Sequence, residues 1–224
     1  LLSAADLFAW TLVIILLSFG FEKLFLAALG RAEHAVCRRC PPPMRRQSAA
    51  PAALRADGVW KSFHGNAVLC GVTQSFAPGE AVCVMAPSGA GKTTLLRLLL
   101  GLARPDRGEI SPAGVKLSCA FQEERLVPGL SAVGNVLLAC PCTQAQAEDA
   151  FRALGFEAHT MRQPVCQLSG GQQRRVSLAR AMLADSAAVL LDEPFKGLDG
   201  GARAAAAAFV RGQAAGRAVV CVTH

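Results

Sequence analysis

Three short runs, AVCVMA (81–86), AAVLLDE (187–193) and AVVCVTH (218–224), are apolar almost without interruption until their last residues. A strand with one face in water alternates apolar and polar residues, whereas a strand covered on both faces reads apolar throughout. These runs therefore suit strands of a parallel sheet buried on both faces. Between them lie patterns of helical period, TLLRLLLGL (94–102), QAEDAFRAL (146–154) and RRVSLARAML (174–183). Strand–helix alternation of this kind makes an α/β core. No internal repeat competes with that reading.

Composition narrows the class further. Hydrophobic residues make up 52% of the 224 and charged residues only 17%, which excludes a disordered chain and exceeds the apolar share of an ordinary soluble domain. Lys and Arg outnumber Asp and Glu by 23 to 16, a net charge of +7. Such a surplus suits nucleic acid, an anionic membrane surface or a phosphate-rich ligand. The nine cysteines, an odd number in a chain too large to need disulfide staples, point to a reducing compartment.

The apolar excess is concentrated at the start. Asp6 and Glu22 bracket fifteen uncharged residues, LFAWTLVIILLSFGF, and LFLAALG follows Lys23. The first run alone spans about 22 Å as a helix, short of a bilayer core of about 30 Å. With Leu24–Leu29 added it is long enough, Glu22 and Lys23 snorkelling and Trp10 at the opposite headgroup level. A cleavable signal would carry a basic stretch before Leu7, and none is there. Residues 1–30 are read as a membrane helix. Arg31, Arg38, Arg39, Arg45 and Arg46 follow it and put the rest of the chain in the cytoplasm. They also account for much of the positive charge without nucleic acid. Residues 31–53 form a basic linker containing PPPMRRQSAAPAA, and a globular domain spans 54–224. Cys37 and Cys40 have zinc-ligand spacing without a second pair, and Cys140 and Cys142 simply flank a proline.

Ala86-Pro87-Ser88-Gly89-Ala90-Gly91-Lys92-Thr93 joins the first apolar run to a helix opening at Thr94. This is nearly the phosphate-binding loop G-x-x-x-x-G-K-[ST], in the strand–turn–helix context that motif requires. Gly89 and Gly91 let backbone amides turn toward anionic oxygens, and the helix start adds its dipole. Lys92 is expected on the β- and γ-phosphates and the Thr93 hydroxyl on Mg²⁺. Ala86 stands where the motif has its first glycine; if that position takes positive φ, alanine costs about 1 kcal/mol. Farther along, Asp192 ends a buried apolar run, so its carboxylate emerges at the carboxyl edge of the sheet, where α/β ligands bind. It is expected to hold Mg²⁺, with Glu193 beside it polarising water.

Leu168-Ser169-Gly170-Gly171-Gln172, continued as QRRVSLARAM, resembles the signature sequence of ATP-binding-cassette proteins. AVLLDEP (188–194) is similar to that family's Walker B strand, Phe195-Lys-Gly-Leu-Asp199 to its D-loop, Phe121-Gln122 to its Q-loop and His224 to its switch histidine. The motifs run in the family's order from 54 to 224. The resemblance implies an α/β P-loop ATPase with a mostly parallel core sheet, an antiparallel β portion near 54–80 and a helical portion near 123–180. It also implies ATP with Mg²⁺, and a head-to-tail pair of cassettes in which Ser169, Gly170, Gly171 and Gln172 close the partner's nucleotide. Phe63 in KSFHG corresponds to the aromatic that stacks on adenine, with Trp60 its competitor. Gln122 would contact the metal or attacking-water region while its loop touches a membrane permease subunit. His224 would reach the γ-phosphate.

Exporter cassettes usually read DEATSALD where this chain has DEPFKGLD. FQEERLVPGLSAVGNV is similar to the corresponding region of importers for nitrate, sulfonate, taurine and related small anions, which work with an external solute-binding protein. DLFAWTLVIILLSFGFEKL resembles the last transmembrane helix of the permease in that group. The expectation is an importer ATPase at the inner or plasma membrane with its cassette on the cytoplasmic side. The absence of an initial methionine and the stop at the switch histidine read as a fragment with an exposed sheet edge. Two rivals remain: a DNA-repair or chromosome-type cassette, and a catalytically weak tethered cassette supported by Ala86 and the shortened end.

Overall fold

A computed structural model describes residues 54–111, 115–214 and 216–223. The proposed membrane helix 1–30, the linker 31–53 and His224 lie outside them. Among the described residues no helix is long and apolar enough to cross a membrane.

Two sheets make the frame. The first is antiparallel, in the order β2 (Asn66–Phe76), β1 (Leu54–Phe63), β4 (Arg107–Ser111). The second is wholly parallel, in the order β3 (Ala81–Met85), β7 (Ala218–Thr223), β6 (Ala188–Asp192), β5 (Leu117–Ala120). The three apolar runs of the sequence are β3, β6 and β7. All five residues of β6 are buried, as a strand covered on both faces should be. β3 departs from that expectation: it lies at the edge of the parallel sheet, and Ala81, Cys83 and Met85 are exposed. β4 was not anticipated from the sequence, because RGEIS has neither an apolar run nor an alternating pattern.

Helix α1 (Lys92–Leu99) buries Leu95, Leu96, Leu98 and Leu99 in a core shared by both sheets, with Leu54, Val59, Phe76, Leu190 and Val220. On the other face of the parallel sheet, Val189, Leu191 and Val219 pack with the helical portion. That portion comprises α2 (Ala132–Leu137), α3 (Gln144–Ala153), α4 (Ala158–Arg162) and α5 (Gly170–Leu183). Helix α6 (Gly200–Gln213) adds Ala206 and Phe209 to the same core. Asn135 is fully buried on α2 and holds the preceding loop: its side-chain oxygen accepts from Val127 N at 2.8 Å, and its amide faces the carbonyls of Val127 and Ser131, each at 3.1 Å.

Asp106 ties the turn before β4 to β1. Its carboxylate accepts from Lys61 Nζ and Ser62 N, both at 2.7 Å, and from Ser62 Oγ at 2.8 Å. These bonds, Lys61 foremost, lower its pKa from 3.8 to about 2. A lowered carboxyl pKa gives stability that is fully present above about pH 3.8 and is lost as pH falls through about 2. Asp106→Asn should therefore be less stable than the parent near neutrality, with the gap closing between these two pH values. Urea denaturation of both proteins across pH 2–6 measures it.

Candidate active site

The end of β3, the end of β6 and the start of α1 meet at the carboxyl edge of the parallel sheet. Between β3 and α1 the loop turns through Gly89 (φ 81°) and Gly91 (φ 86°), the left-handed region that favours glycine. A β-carbon at Gly91 would come within 2.7 Å of Val68 Cγ1 and 3.0 Å of the Val68 carbonyl oxygen, so β2 also forbids any larger residue there. Lys92 folds back inside the turn and donates to the carbonyls of Ala86 at 2.6 Å and Pro87 at 2.8 Å. Among the described residues the non-glycine residues of positive φ are His64, Arg125 and Glu193, and Ala86 is not one of them. The alanine at the motif's first position therefore carries no left-handed penalty.

Thr93 Oγ1 donates to Asp192 Oδ2 at 3.2 Å, joining the loop to the end of β6. Asp192 is 3% exposed. Burial raises its carboxyl pKa and the neighbouring Glu193 charge adds to that, while the Thr93 hydrogen bond, Arg174 and Lys92 oppose it. Glu193 follows with φ 49°, an unusual conformation for a glutamate. Its backbone N–H donates to Val222 O at 2.9 Å, and Oε2 lies 3.0 Å from Lys196 Nζ. The Thr93 hydroxyl and the buried Asp192 carboxylate at the end of β6 are hard oxygen donors beside the Lys92 cation, which fits Mg²⁺ with a polyphosphate.

The other expected residues take distinct places. Phe63 ends β1 at the hairpin to β2, 45% exposed, with Lys61 Nζ 5.4 Å from its ring centre; it is not a core aromatic. Trp60 instead lies against Gly71 of β2. Gln122 is exposed in a loop held by α5. Ser169 caps α5: its Oγ accepts from Gln172 N at 3.3 Å, and Gln172 Oε1 accepts from Ser169 N at 2.8 Å. Gly170 and Gly171 open that helix, and a β-carbon on Gly171 would lie 3.4 Å from Gly197 O, so the turn abuts the 193–199 segment. Asp199 caps α6, accepting from Ala202 N at 2.8 Å.

The model of the ABC transporter family matches residues 69–196, more than half of the chain. The chain belongs to the ABC transporter family. It is 41% identical over 181 residues to an aliphatic sulfonates import ATP-binding protein of Streptomyces avermitilis, covering 79% of this chain and 69% of that protein. A second sulfonates import protein, from Rhodococcus jostii, is 40% identical over 69% of this chain and 58% of its own length. An Fe(3+) ions import ATP-binding protein of Rhodococcus jostii is 38% identical over 77% and 55%. The chain thus spans between about half and two thirds of the length of these relatives. A solved dimeric ATP-binding cassette, MJ0796, bound to ADP and phosphate, superposes with a TM-score of 0.68 at 26% identity, covering 76% of this chain and 88% of that one.

Within this ABC transporter domain the structure adds residues that sequence reading passed over as helix charges. Arg174 is 8% exposed, donates to Phe121 O at 2.9 Å and pairs with Glu124 at 3.3 Å. Arg180 donates to Arg125 O at 2.9 Å and Glu124 O at 3.0 Å. Arg174 shares a helical stripe with the buried Ser177, Leu178 and Ala181, and a charge on such a stripe needs a built partner. Lys196, three residues after Glu193, was likewise read only as part of a motif string.

Gly91→Ala should destabilise the domain by about 2 kcal/mol or more, from the left-handed backbone and the Val68 clash together. Ala86→Gly should instead lose about 0.4–1 kcal/mol through added chain entropy and gain no nucleotide affinity. Urea denaturation and ATP titration of the two variants separate these outcomes.

Proposed function

We propose that this chain hydrolyses ATP to power an importer of a small anionic solute of the sulfonate, nitrate or taurine kind. The observation that carries the reading is the 3.2 Å contact of Thr93 with Asp192, which joins a phosphate loop to a buried carboxylate with Glu193 next in sequence. Lys92, Thr94 and the amides of residues 87–93 would hold the triphosphate, and Phe63 would stack on adenine. Thr93 Oγ1 and Asp192 would hold Mg²⁺, with Gln122 at the same centre. When bound, the ion neutralises phosphate oxygens. Its charge would also offset the burial that raises the Asp192 pKa. Glu193 would orient the attacking water and accept its proton, and His224 would act on the γ-phosphate.

Two cassettes would pair head to tail, Ser169, Gly170, Gly171, Gln172 and Asp199 meeting the partner's nucleotide. The exposed apolar residues Val127, Leu130, Leu137 and Leu138, beside the Gln122 loop, offer a face for the permease on the cytoplasmic side of the membrane. Residues 1–30 would join the cassette to the membrane through the 31–53 linker, and a solute-binding protein would act indirectly from outside. The sulfonate import relatives support the solute class, since their printed names carry it. The catalytically weak alternative loses its support at Ala86, which needs no left-handed backbone. The DNA-acting alternative has no support among these relatives.

Glu193→Gln should keep ATP binding and lower turnover by about 100-fold or more. Asp192→Asn and Thr93→Ala should raise the Mg²⁺ concentration needed for half-maximal turnover. Phosphate release by the membrane-extracted native protein tests both, and undiminished turnover in Glu193→Gln removes that residue from the mechanism. Uptake of an alkanesulfonate against ferric ion by cells that carry the protein tests the solute; ferric uptake alone overturns the anionic assignment.

A further inference from the structure

The register of the parallel sheet sets Cys83 of β3 directly opposite Cys221 of β7. Opposed residues on neighbouring strands lie about 4.8 Å apart, inside the span of about 4.4–6.8 Å between Cα atoms that a disulfide accepts. They point to the same face. Cys83 is exposed and Cys221 partly so, on the face where Ala81 and Met85 are also exposed. Among the described strand pairs this is the only one that opposes two cysteines.

We propose that Cys83 and Cys221 form an oxidisable dithiol, a reversible disulfide site whose oxidant is a hydroperoxide. Cys83 is the accessible nucleophile. Its thiolate attacks one peroxide oxygen, the S–O bond forms as the O–O bond breaks, and the departing hydroxide takes up the proton that the Cys83 thiol released and leaves as water, giving a sulfenic acid. The Cys221 sulfur then attacks the Cys83 sulfur; the S–S bond forms, the S–O bond breaks, and a second water carries off the Cys221 proton. Two thiols and one hydrogen peroxide become a disulfide and two waters. Burial, with the Cys83 charge and hydrogen bond, pushes the Cys221 thiol up to about 12, so Cys221 resolves the bond and does not initiate it.

The other cysteines of the parallel sheet and helices are built differently. Cys119 points to the opposite face, toward Leu190, and burial pushes it up to about 12. Cys140 is buried and its thiol donates to Arg180 O at 3.2 Å. A disulfide between directly opposed strand residues must draw the two side chains together, and an exposed bond of that kind is easily reduced. It is therefore a switchable cross-link, not a permanent staple. Cys83 lies three residues before Ala86 and Cys221 three before His224, so the link would tie the strand entering the phosphate loop to the strand leading to His224.

The test treats the native full chain with graded hydrogen peroxide, alkylates it after denaturation and maps the peptides by mass. The expected result is loss of 2 Da in a linked Cys83–Cys221 peptide pair, with alkylation of the two residues falling together and restored by dithiothreitol. Cys83→Ser should abolish the link. Cys221→Ser should leave Cys83 as a sulfenic acid that dimedone labels. Full alkylation of Cys221 while Cys83 is oxidised, or linkage of Cys83 to another cysteine, overturns the proposal. So does full alkylation of both at a dose that oxidises the exposed Cys166.

Discussion

A carboxylate at the end of a fully buried strand is the constraint on which the site depends. Water solvates an isolated carboxylate far better than a protein interior does, so Asp192 must be surrounded by groups that replace that solvation. The chain supplies them from two elements: the Thr93 hydroxyl and Lys92 from the first turn of α1, and Arg174 from α5. α1 is in turn fixed by Leu95, Leu96, Leu98 and Leu99 in the core between the sheets. The loop between β3 and α1 has little freedom left, because Gly91 sits against Val68 with no room for a side chain. One buried charge thus sets the relative positions of loop, strand and helix.

Much of this was legible in the sequence, for identifiable reasons. The apolar run that ends in Asp192 and Glu193 announces β6, since only a strand covered on both faces reads that way. The glycines of the loop announce a turn because no other residue takes its backbone angles easily. Three features were not legible. β3 has the same apolar character as β6, but its exposure depends on which strands it pairs with, and pairing order is not written in AVCVM. β4 pairs through its backbone, and RGEIS carries no apolar period to reveal it. Whether Ala86 takes positive φ depends on how the chain leaves β3, which the loop motif alone does not state.

The arginines of α5 show how the separate motifs become one mechanical unit. Arg174 and Arg180 grip the backbone of the loop that contains Gln122, at Phe121, Glu124 and Arg125. The first turn of the same helix is capped by Ser169 and packs on Gly197. Helix α5 therefore connects the Gln122 loop, the signature turn and the segment from Glu193 to Asp199. Its Val176, Leu178, Ala179 and Met182 are buried against β6 and the other helices, so it transmits displacement instead of absorbing it. Glu193 sits where that unit meets the sheet, its N–H held by Val222 and its carboxylate beside Lys196. A left-handed glutamate persists only where its surroundings over-determine it. Here the β7 carbonyl and the tight turn to Lys196 do so, and any shift of the 193–199 segment relative to β7 is felt first at the Glu193 carboxylate.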